Sequence, residues 1–302
     1  MRHARWIATL LAFGLSSQIA LAETVAVNTA AGPVDVSARP ETIAVFDISA
    51  VDTLSALGVS IEGVPQRIYV DHLEEAVAGA EIVGSLFEPD FEAVNALQPD
   101  LIVAGGRSST QVKALSELAP TIDMTIWGDG LLNQAKSRLE AYGELFGKQP
   151  EAAELEAKLD AAVSALKTQT SGAGSALIVM TNGPKVSVYG QNSRFGWLYS
   201  ELGIQPAGGE IKASNHGEAV SFEFIRETNP DWLIVIDRAA AIGNDTARAR
   251  ETLDNKLIAD TKAWQSGQVI YLNAANVYIA AGGYQSLMAT IGQLSDAFAA
   301  AD

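Results

Sequence analysis

Three arginines stand at positions in this 302-residue sequence from which they could bind an anion together. Arg107 and Arg238 each end a short apolar segment that follows a Pro-Asp pair, in PDLIVAGGR and PDWLIVIDR. Arg194 lies in the polar, glycine-bracketed stretch YGQNSRFG. A guanidinium group suits an anion site because its donors are fixed in one plane and because it also stacks on aromatic rings. The alternative for any one of them is an ordinary surface arginine.

Arg107 and Arg238 close the two copies of an internal repeat. FEAVNALQPDLIVAGGR at 91–107 returns as FEFIRETNPDWLIVIDR at 222–238, with Phe-Glu, Pro-Asp and Arg at matching places. The residue before each copy, Asp90 or Ser221, is a good helix N-cap. Each copy therefore predicts a short helix, stopped by the proline, and then a buried strand that ends on an arginine. The alternative is an ordinary α/β unit that recurred by chance.

The elements that must position these residues alternate between strand and helix on both sides of a helical middle. Residues 42–127 and the chain after 174 alternate in this way, which is typical of a parallel sheet with helices on its faces. Residues 131–169 show only helical patterns, and the helix that begins at Pro150 would be about 30 Å long. Residues 24–38 alternate like a β-hairpin around Gly32-Pro33.

These patterns predict an α/β protein with two similar lobes, each with a mainly parallel sheet flanked by helices, joined by one long α-helix. The predicted bounds are 1–22 for a signal peptide, 23–148 for the N-terminal lobe, 149–171 for the linker helix and 172–302 for the C-terminal lobe. Ligands of open α/β sheets bind outside the carboxyl ends of the strands. Arg107 and Arg238 should therefore face the cleft between the lobes.

Two further residues could contribute to a site, and the sequence leaves the role of each open. His216, in the loop KASNHGEAVSF, is a metal ligand or, as is commoner for a lone histidine, a hydrogen-bonding loop residue. Tyr278, in NVYIAAGG, belongs to the core or reaches the cleft. His72, in YVDHLEE, is predicted to lie on a solvated turn or helix face. No nucleophile elbow, zinc-protease motif or phosphate-binding loop occurs in the sequence.

Composition and the N-terminal segment bound the class of protein. The formal net charge of −16 argues against nucleic acid as a partner, because no basic stretch is present to neutralise phosphates. The absence of cysteine excludes thiol catalysis and Cys-ligated metal centres, and leaves no cysteine to carry a lipid. Arg2 and Arg5, an apolar run and Ala20-Leu21-Ala22 predict a cleaved secretory signal. The alternative is an N-terminal membrane anchor, and the prediction is a freely diffusing periplasmic protein.

With these motifs the chain resembles the class III periplasmic binding proteins, and among them the subgroup for iron–catecholate siderophores. The resemblance rests on FEAVNALQPDLIVAGGR, SRFGWLYSELG, NHGEAVSFEFI, NPDWLIVIDR and VYIAAGG. It implies a monomer with no intrinsic cofactor and no enzymatic reaction. Such a protein binds a ferric siderophore between its lobes and delivers it to an ABC permease in the inner membrane.

The resemblance also assigns roles to individual residues. The cleft arginines of the family correspond to Arg107, Arg194 and Arg238. A histidine and a tyrosine that complete the coordination of ferric ion correspond to His216 and Tyr278. A siderophore with two catecholates leaves coordination positions of the ion open, and these side chains could fill them.

One acidic residue per lobe docks onto arginines of the permease in the family, and these residues correspond to Glu92 and Glu223. The alternative for both is stabilisation of a helix dipole in a first turn, and the two roles are compatible. For the ligand, the alternatives are haem, cobalamin or a hydroxamate siderophore on the same fold. Other classes are a secreted α/β hydrolase, for which no nucleophile motif is present, and an extracellular sensor or adhesion module.

Overall fold

The computed structural model describes residues 23–126, 128–209, 211, 214, 216–243 and 248–301. The signal segment predicted at 1–22 lies outside these residues. Within the described ranges, no helix is both long and apolar enough to cross a membrane. Two α/β lobes, each built on its own sheet, confirm the predicted fold class.

A five-stranded parallel sheet forms the centre of the N-terminal lobe. Its strands are β3 (Ile43–Val45), β4 (Gly63–Val64), β5 (Glu81–Ile82), β6 (Leu101–Ala104) and β7 (Thr121–Asp123). Their order across the sheet is β5-β4-β3-β6-β7. Every residue of β3 and β6 is buried, as expected for central parallel strands that are covered on both faces.

The first hairpin lies in this half of the chain and turns earlier than the sequence predicted. Strands β1 (Thr24–Thr29) and β2 (Gly32–Ser37) pair antiparallel, with Thr29 opposite Gly32. The turn therefore consists of residues 30 and 31 rather than Gly32-Pro33. Two-residue turns match the twist of the strands they join, and Gly32, at φ +109°, supplies the unusual backbone angle at the start of β2.

Short helices surround the N-terminal sheet. They are α1 (Ile48–Ala56), α2 (Phe91–Leu97) and α3 (Val112–Leu115), with 3₁₀ helices at Asp71–Leu73 and Gly106–Gln111. The segment SSTQVKALSELAP at 108–120 has a helical pattern, and the structure divides it between the second 3₁₀ helix and α3. The 3₁₀ helix at Gly106–Gln111 follows β6 directly and carries Arg107 into the space between the lobes.

Two longer helices connect the lobes and belong to both of them. They are α4 (Leu131–Leu145) and α5 (Gln149–Thr170), and α5, with 22 residues, is about 33 Å long. In α5, Ala152 packs in the apolar core of the N-terminal lobe, whereas Leu159 and Leu166 pack in the core of the C-terminal lobe. The long helix of the prediction is therefore present and runs along both cores. The predicted bounds at 148/149 and 171/172 stay a prediction.

The C-terminal sheet is mixed. Its strands are β8 (Ser175–Asn182), β9 (Lys185–Tyr189), β10 (Gln205–Pro206), β11 (Glu218–Val220), β12 (Trp232–Asp237) and β13 (Val269–Tyr271). The order is β11-β9-β8-β12-β13, and β10 also pairs with β8. Strands β8, β12 and β13 run parallel, like β3, β6 and β7.

The other edge of this sheet departs from the predicted symmetry of the lobes. Strand β9 is antiparallel to β8, and β11 is antiparallel to β9. The cause is the tight turn at Gly183-Pro184, because a two-residue connection can only join antiparallel neighbours.

Among the described residues of the C-terminal half, eight helices position its loops. They are α6 (Trp197–Ser200), α7 (Phe222–Thr228), α8 (Arg238–Ala241), α9 (Arg248–Leu253), α10 (Lys256–Ala259), α11 (Lys262–Gln265), α12 (Ala274–Tyr278) and α13 (Tyr284–Ala299). The segment FGWLYSELGI at 195–204 has a helical pattern, and the structure forms only the four-residue α6 there. Helix α13 packs against α5 and against α1 of the other lobe, so it ties the two halves together.

The repeat folds as predicted, with a different stop signal. Helices α2 and α7 have seven residues each, and Asp90 and Ser221 cap them through backbone N–H groups of the first turn. Each helix ends on a left-handed residue, Gln98 at φ +51° or Asn229 at φ +45°. The proline comes one residue later. A left-handed C-cap followed by proline thus ends both helices before the buried strands begin.

Candidate functional site

The three predicted arginines converge on one residue, Tyr278. Arg107 Nη2 donates to the Tyr278 carbonyl oxygen at 3.1 Å, and Arg194 Nη2 donates to the same oxygen at 2.6 Å. Arg238 Nε donates to the Tyr278 hydroxyl at 3.4 Å. We call these four residues the arginine cluster.

The ring of Tyr278 also faces two of the guanidinium groups. The guanidinium carbon of Arg194 lies 4.1 Å from the ring centroid and that of Arg107 lies 5.5 Å from it. The ring of Phe195 is 6.5 Å from the Tyr278 ring, centroid to centroid. The cluster therefore combines cationic donors with aromatic surface in one place.

The topology explains why residues so far apart in the sequence meet. Arg107 and Arg238 follow β6 and β12, which are the corresponding parallel strands of the two sheets. Arg194 comes from the loop after β9, and Tyr278 ends α12, which Asn273 caps directly after β13. Tyr278 is half-buried and lines a cavity, so the structure places it at the cleft rather than in the core.

Among the described residues, no carboxylate forms an ion pair within 4.0 Å with an arginine of the cluster, although the charge of Arg107 acts on buried Asp47. Six ion pairs within 4.0 Å occur among the described residues, and each of them uses a lysine or a histidine rather than an arginine. The chain as a whole carries a net charge of −16. A local group of unpaired guanidiniums in so acidic a protein is an anion site that works against the overall field.

The environment shifts the pKa of two members of the cluster. Burial lowers the pKa of Arg194, and the charge of Arg107 lowers it further, against an opposing effect of Tyr278. Burial raises the pKa of Tyr278, but the hydrogen bond from Arg238 and the charges of the three arginines outweigh it, so the net shift is downward. By contrast, burial raises the pKa of nearby Tyr189 to about 12. The Tyr278 hydroxyl thus ionises more readily than that of Tyr189.

A cavity of about 670 Å³ opens beside the cluster on the side of the C-terminal lobe. Arg194, Arg238 and Tyr278 line it, and His216 and Glu223 stand on its wall as well. Its volume is within the range of small-molecule sites.

His216 is exposed at this cavity and is followed by a constrained glycine. Its backbone N–H donates to Ser214 Oγ at 3.2 Å. Gly217 has φ +73°, and a Cβ there would lie 2.7 Å from the ring of Tyr189. Only glycine therefore lets the loop pass so close to that ring. The structure brings His216 to the same cavity as Tyr278, and its role as a metal ligand stays a prediction.

Glu92 and Glu223 are exposed in the first turns of α2 and α7. Backbone hydrogen bonding and then the Ser221 side chain lower the pKa of Glu223. Each lobe thus presents an exposed glutamate in the first turn of a short helix, and docking to a permease stays a prediction.

Two residues that contribute to the site were not predicted from the sequence. Asn182, the last residue of β8, accepts from Arg238 Nη1 at 3.4 Å through its Oδ1. Phe195 packs edge-on against Tyr189, with centroids 4.7 Å apart. Their positions in the sequence could have suggested a role at the site, because Asn182 precedes the Gly-Pro turn and Phe195 follows Arg194 directly.

A buried carboxylate forms a second link between the lobes. Asp52 of α1 is fully buried and accepts from three groups at the start of α13: Gln285 N at 2.6 Å, Ser286 N at 3.0 Å and Ser286 Oγ at 2.7 Å. His72 Nε2 lies 3.1 Å from Asp52 Oδ2. His72 is exposed in the 3₁₀ helix Asp71–Leu73, as predicted, and its contact with Asp52, 20 positions earlier, was not predicted.

Comparisons with known proteins agree with this architecture. A family model described as "Periplasmic binding protein" matches residues 43–275. The chain is 35% identical to the petrobactin-binding protein YclQ of Bacillus subtilis, over 85% of this chain and 82% of that protein. It is also 35% identical to the ferric-anguibactin-binding protein FatB of Vibrio anguillarum, over 86% of this chain and 83% of that protein.

Solved structures of similar proteins cover nearly all of the chain. The crystal structure of YclQ matches with a TM-score of 0.85 at 33% identity, over 91% of this chain and 99% of that one. The catecholate-siderophore binding protein VctP of Vibrio cholerae matches with a TM-score of 0.85 at 30% identity, over 91% and 100% of the two chains.

Proposed function

The chain belongs to the periplasmic binding protein family, and we propose that it captures a ferric siderophore with catecholate groups between its lobes for an ABC importer. The observation that carries this proposal is the arginine cluster, in which three guanidiniums without a carboxylate partner surround one tyrosine ring. A ferric catecholate is an anion with aromatic rings, so it matches both properties of the cluster. Among the relatives, VctP is named for a catecholate siderophore and FatB for a ferric ligand, and both names support this proposal.

Charge and hydrogen bonding give each arginine a defined task. The ligand oxygens that bind iron retain negative charge, and guanidinium donors contact such oxygens with charge-assisted hydrogen bonds. Arg107 approaches from the N-terminal lobe, whereas Arg194 and Arg238 approach from the C-terminal lobe. A ligand held by all three would therefore bridge the lobes and favour their closed arrangement.

Tyr278 and His216 complete the coordination of the ferric ion in this proposal. Ferric ion is hard and prefers oxygen donors, and imidazole also binds iron. The lowered pKa of Tyr278 supports its use as a phenolate ligand. A siderophore that fills all positions of the ion would leave both side chains without a metal bond.

We assign the remaining roles from the family and the surface. Glu92 and Glu223 present the loaded protein to the permease in the inner membrane. The protein catalyses no reaction and acts as a monomer that diffuses in the periplasm after removal of residues 1–22, without a lipid anchor. Its working units are the lobes at 23–148 and 172–302, joined by the helix at 149–171.

A titration of tryptophan fluorescence tests the ligand class. Ferric bis- and tris-catecholates are added to the purified protein, beside a ferric hydroxamate, haem and cobalamin. Tight binding of at least one ferric catecholate, and weaker binding of the other ligands, is expected. Failure of every ferric catecholate to bind would refute the proposal, and a hydroxamate, haem or cobalamin that binds instead would name the replacement. Mass spectrometry of the protein from iron-starved cells would identify the natural ligand.

A further inference from the structure

We propose that the N-terminal lobe carries a second ligand subsite, which binds an anionic aromatic arm that projects from the iron centre of the siderophore. We call it the Arg67 subsite. Its walls are Gln66, Arg67, Tyr69, Ser85, Leu86 and Phe87, around a cavity of about 360 Å³. None of the six side chains is acidic. The inference rests on the proposed function, and it adds a cation that lies outside the arginine cluster.

Arg67 is the cationic element of this subsite. Its side chain is exposed, and its guanidinium carbon lies 4.8 Å from the centroid of the Tyr69 ring. None of the ion pairs formed among the described residues includes it. Arg67 therefore repeats, on a smaller scale, the arrangement of Arg194 over Tyr278: an unpaired guanidinium stacked on a tyrosine.

The backbone around Tyr69 is held in an unfavourable conformation. Tyr69 has φ +68°, in the left-handed region, which costs a bulky residue about 1–2 kcal/mol. Arg67 Nη2 donates to the Gly243 carbonyl oxygen of the C-terminal lobe at 3.3 Å. A Cβ at residue 243 would collide with this guanidinium, so glycine at that place lets Arg67 cross the gap between the lobes.

Phe87 gives the subsite its aromatic wall. Its side chain is 57% exposed, the highest value among the large exposed hydrophobic side chains of the described residues. An aromatic ring so exposed beside a cation can hold a ligand ring by stacking.

In each lobe, a short segment of chain connects the Arg67 subsite to the arginine cluster. Gln111 Nε2 donates to the Phe87 carbonyl oxygen at 3.4 Å, and Gln111 ends the 3₁₀ helix in which Arg107 lies, about 8 Å away along the helix. Gly243 lies five residues after Arg238 and two residues beyond the end of α8. An arm that leaves the cluster toward Gln111 and Gly243 therefore runs toward Arg67.

A matched pair of ferric ligands tests the subsite. Lysine acylated on both amines with dihydroxybenzoate supplies two catecholates, and its carboxyl group is joined either to aminobenzoate or to aniline. The two ferric complexes differ only in one aromatic carboxylate. Wild-type protein should bind the carboxylate complex about tenfold more tightly, the effect of one charge-assisted hydrogen bond at an exposed place. Arg67→Gln should remove this difference, and Arg67→Lys should keep part of it.

Two further variants complete the design. Lys113→Gln makes the same change of charge at an exposed place in α3 and should leave the tenfold difference intact. Phe87→Ser should weaken both ligands to a similar degree, because both carry the aryl ring. Equal affinities of wild type for the two complexes, or an equal loss of both in Arg67→Gln, would overturn the subsite alone. Wild type that binds neither complex would instead refute the proposed function, and the subsite with it.

Discussion

Replacement of Asp52 by alanine tests how strongly the buried carboxylate holds the lobes together. The side chain is fully buried and accepts three hydrogen bonds from the start of α13, two of them from backbone N–H groups. Loss of a helix N-cap costs about 1 kcal/mol, and a buried donor left without a partner costs about 1–3 kcal/mol. The hydroxyl of Ser286 can rotate to another acceptor. The loss of stability is therefore dominated by two backbone donors, Gln285 N and Ser286 N, that are left without an acceptor. We expect the free energy of unfolding to fall by about 3–5 kcal/mol.

The assay is urea unfolding followed by far-UV circular dichroism, together with hydrogen exchange of individual amides. Exchange should accelerate at Gln285 and Ser286, whose N–H groups lose their acceptor. Asp52→Asn keeps one acceptor oxygen and should lose about half as much stability. Asp35→Asn is the matched control, because Asp35 is exposed in β2 and carries the same charge.

A loss of less than about 1 kcal/mol in Asp52→Ala, the value of a solvated cap alone, would contradict this role of the carboxylate. Exchange of the amides of residues 285 and 286 at the wild-type rate would contradict it as well. Either result would mean that another acceptor or water replaces the carboxylate without cost.

Three further predictions concern binding and transport. Arg238→Gln should weaken a ferric bis-catecholate at least tenfold in fluorescence titrations, since it removes a charged donor from both ligand and Tyr278, whereas Lys113→Gln should not. Affinity for the same ligand should rise as the pH increases from 6 to 8, because Tyr278 must lose a proton to bind iron and its pKa lies below the usual range near 10. Tyr278→Phe should flatten that slope and alter the visible charge-transfer band; an unchanged band would remove Tyr278 as a ligand. Reversal of charge at Glu92 and Glu223 together should abolish siderophore uptake by cells and leave binding to the purified protein intact.

Local sequence patterns predicted the fold and the family because the relevant forces act over short stretches. The caps at Asp90 and Ser221, the apolar runs of β6 and β12 and the terminal arginines are all visible within the repeat. Arg107 and Arg238 meet at one tyrosine because the carboxyl ends of β6 and β12, in two different sheets, both face the cleft between the lobes.

Contacts between distant segments could not be predicted in this way. Asp52 and Gln285 stand 233 positions apart, and neither lies in a motif that signals a partner. Arg67 and Gly243 stand 176 positions apart, and a single arginine in the stretch QRIYV gives no sign of a cavity beside it. The mixed edge of the second sheet could have been predicted from the sequence, since Gly183-Pro184 is a turn signal between two apolar strands.

The Tyr278 carbonyl has a consequence for the selectivity of capture. In this structure it already occupies donors of Arg107 and Arg194, one from each lobe. Binding of an anion is therefore an exchange of acceptors rather than the filling of empty donors, and only the difference in strength drives it. Chloride or a small carboxylate gains little over a well-placed carbonyl, whereas a multiply charged ferric complex gains much. The Tyr278 carbonyl thus competes weakly with any anion for these guanidinium donors, and common solutes of the medium do not displace it.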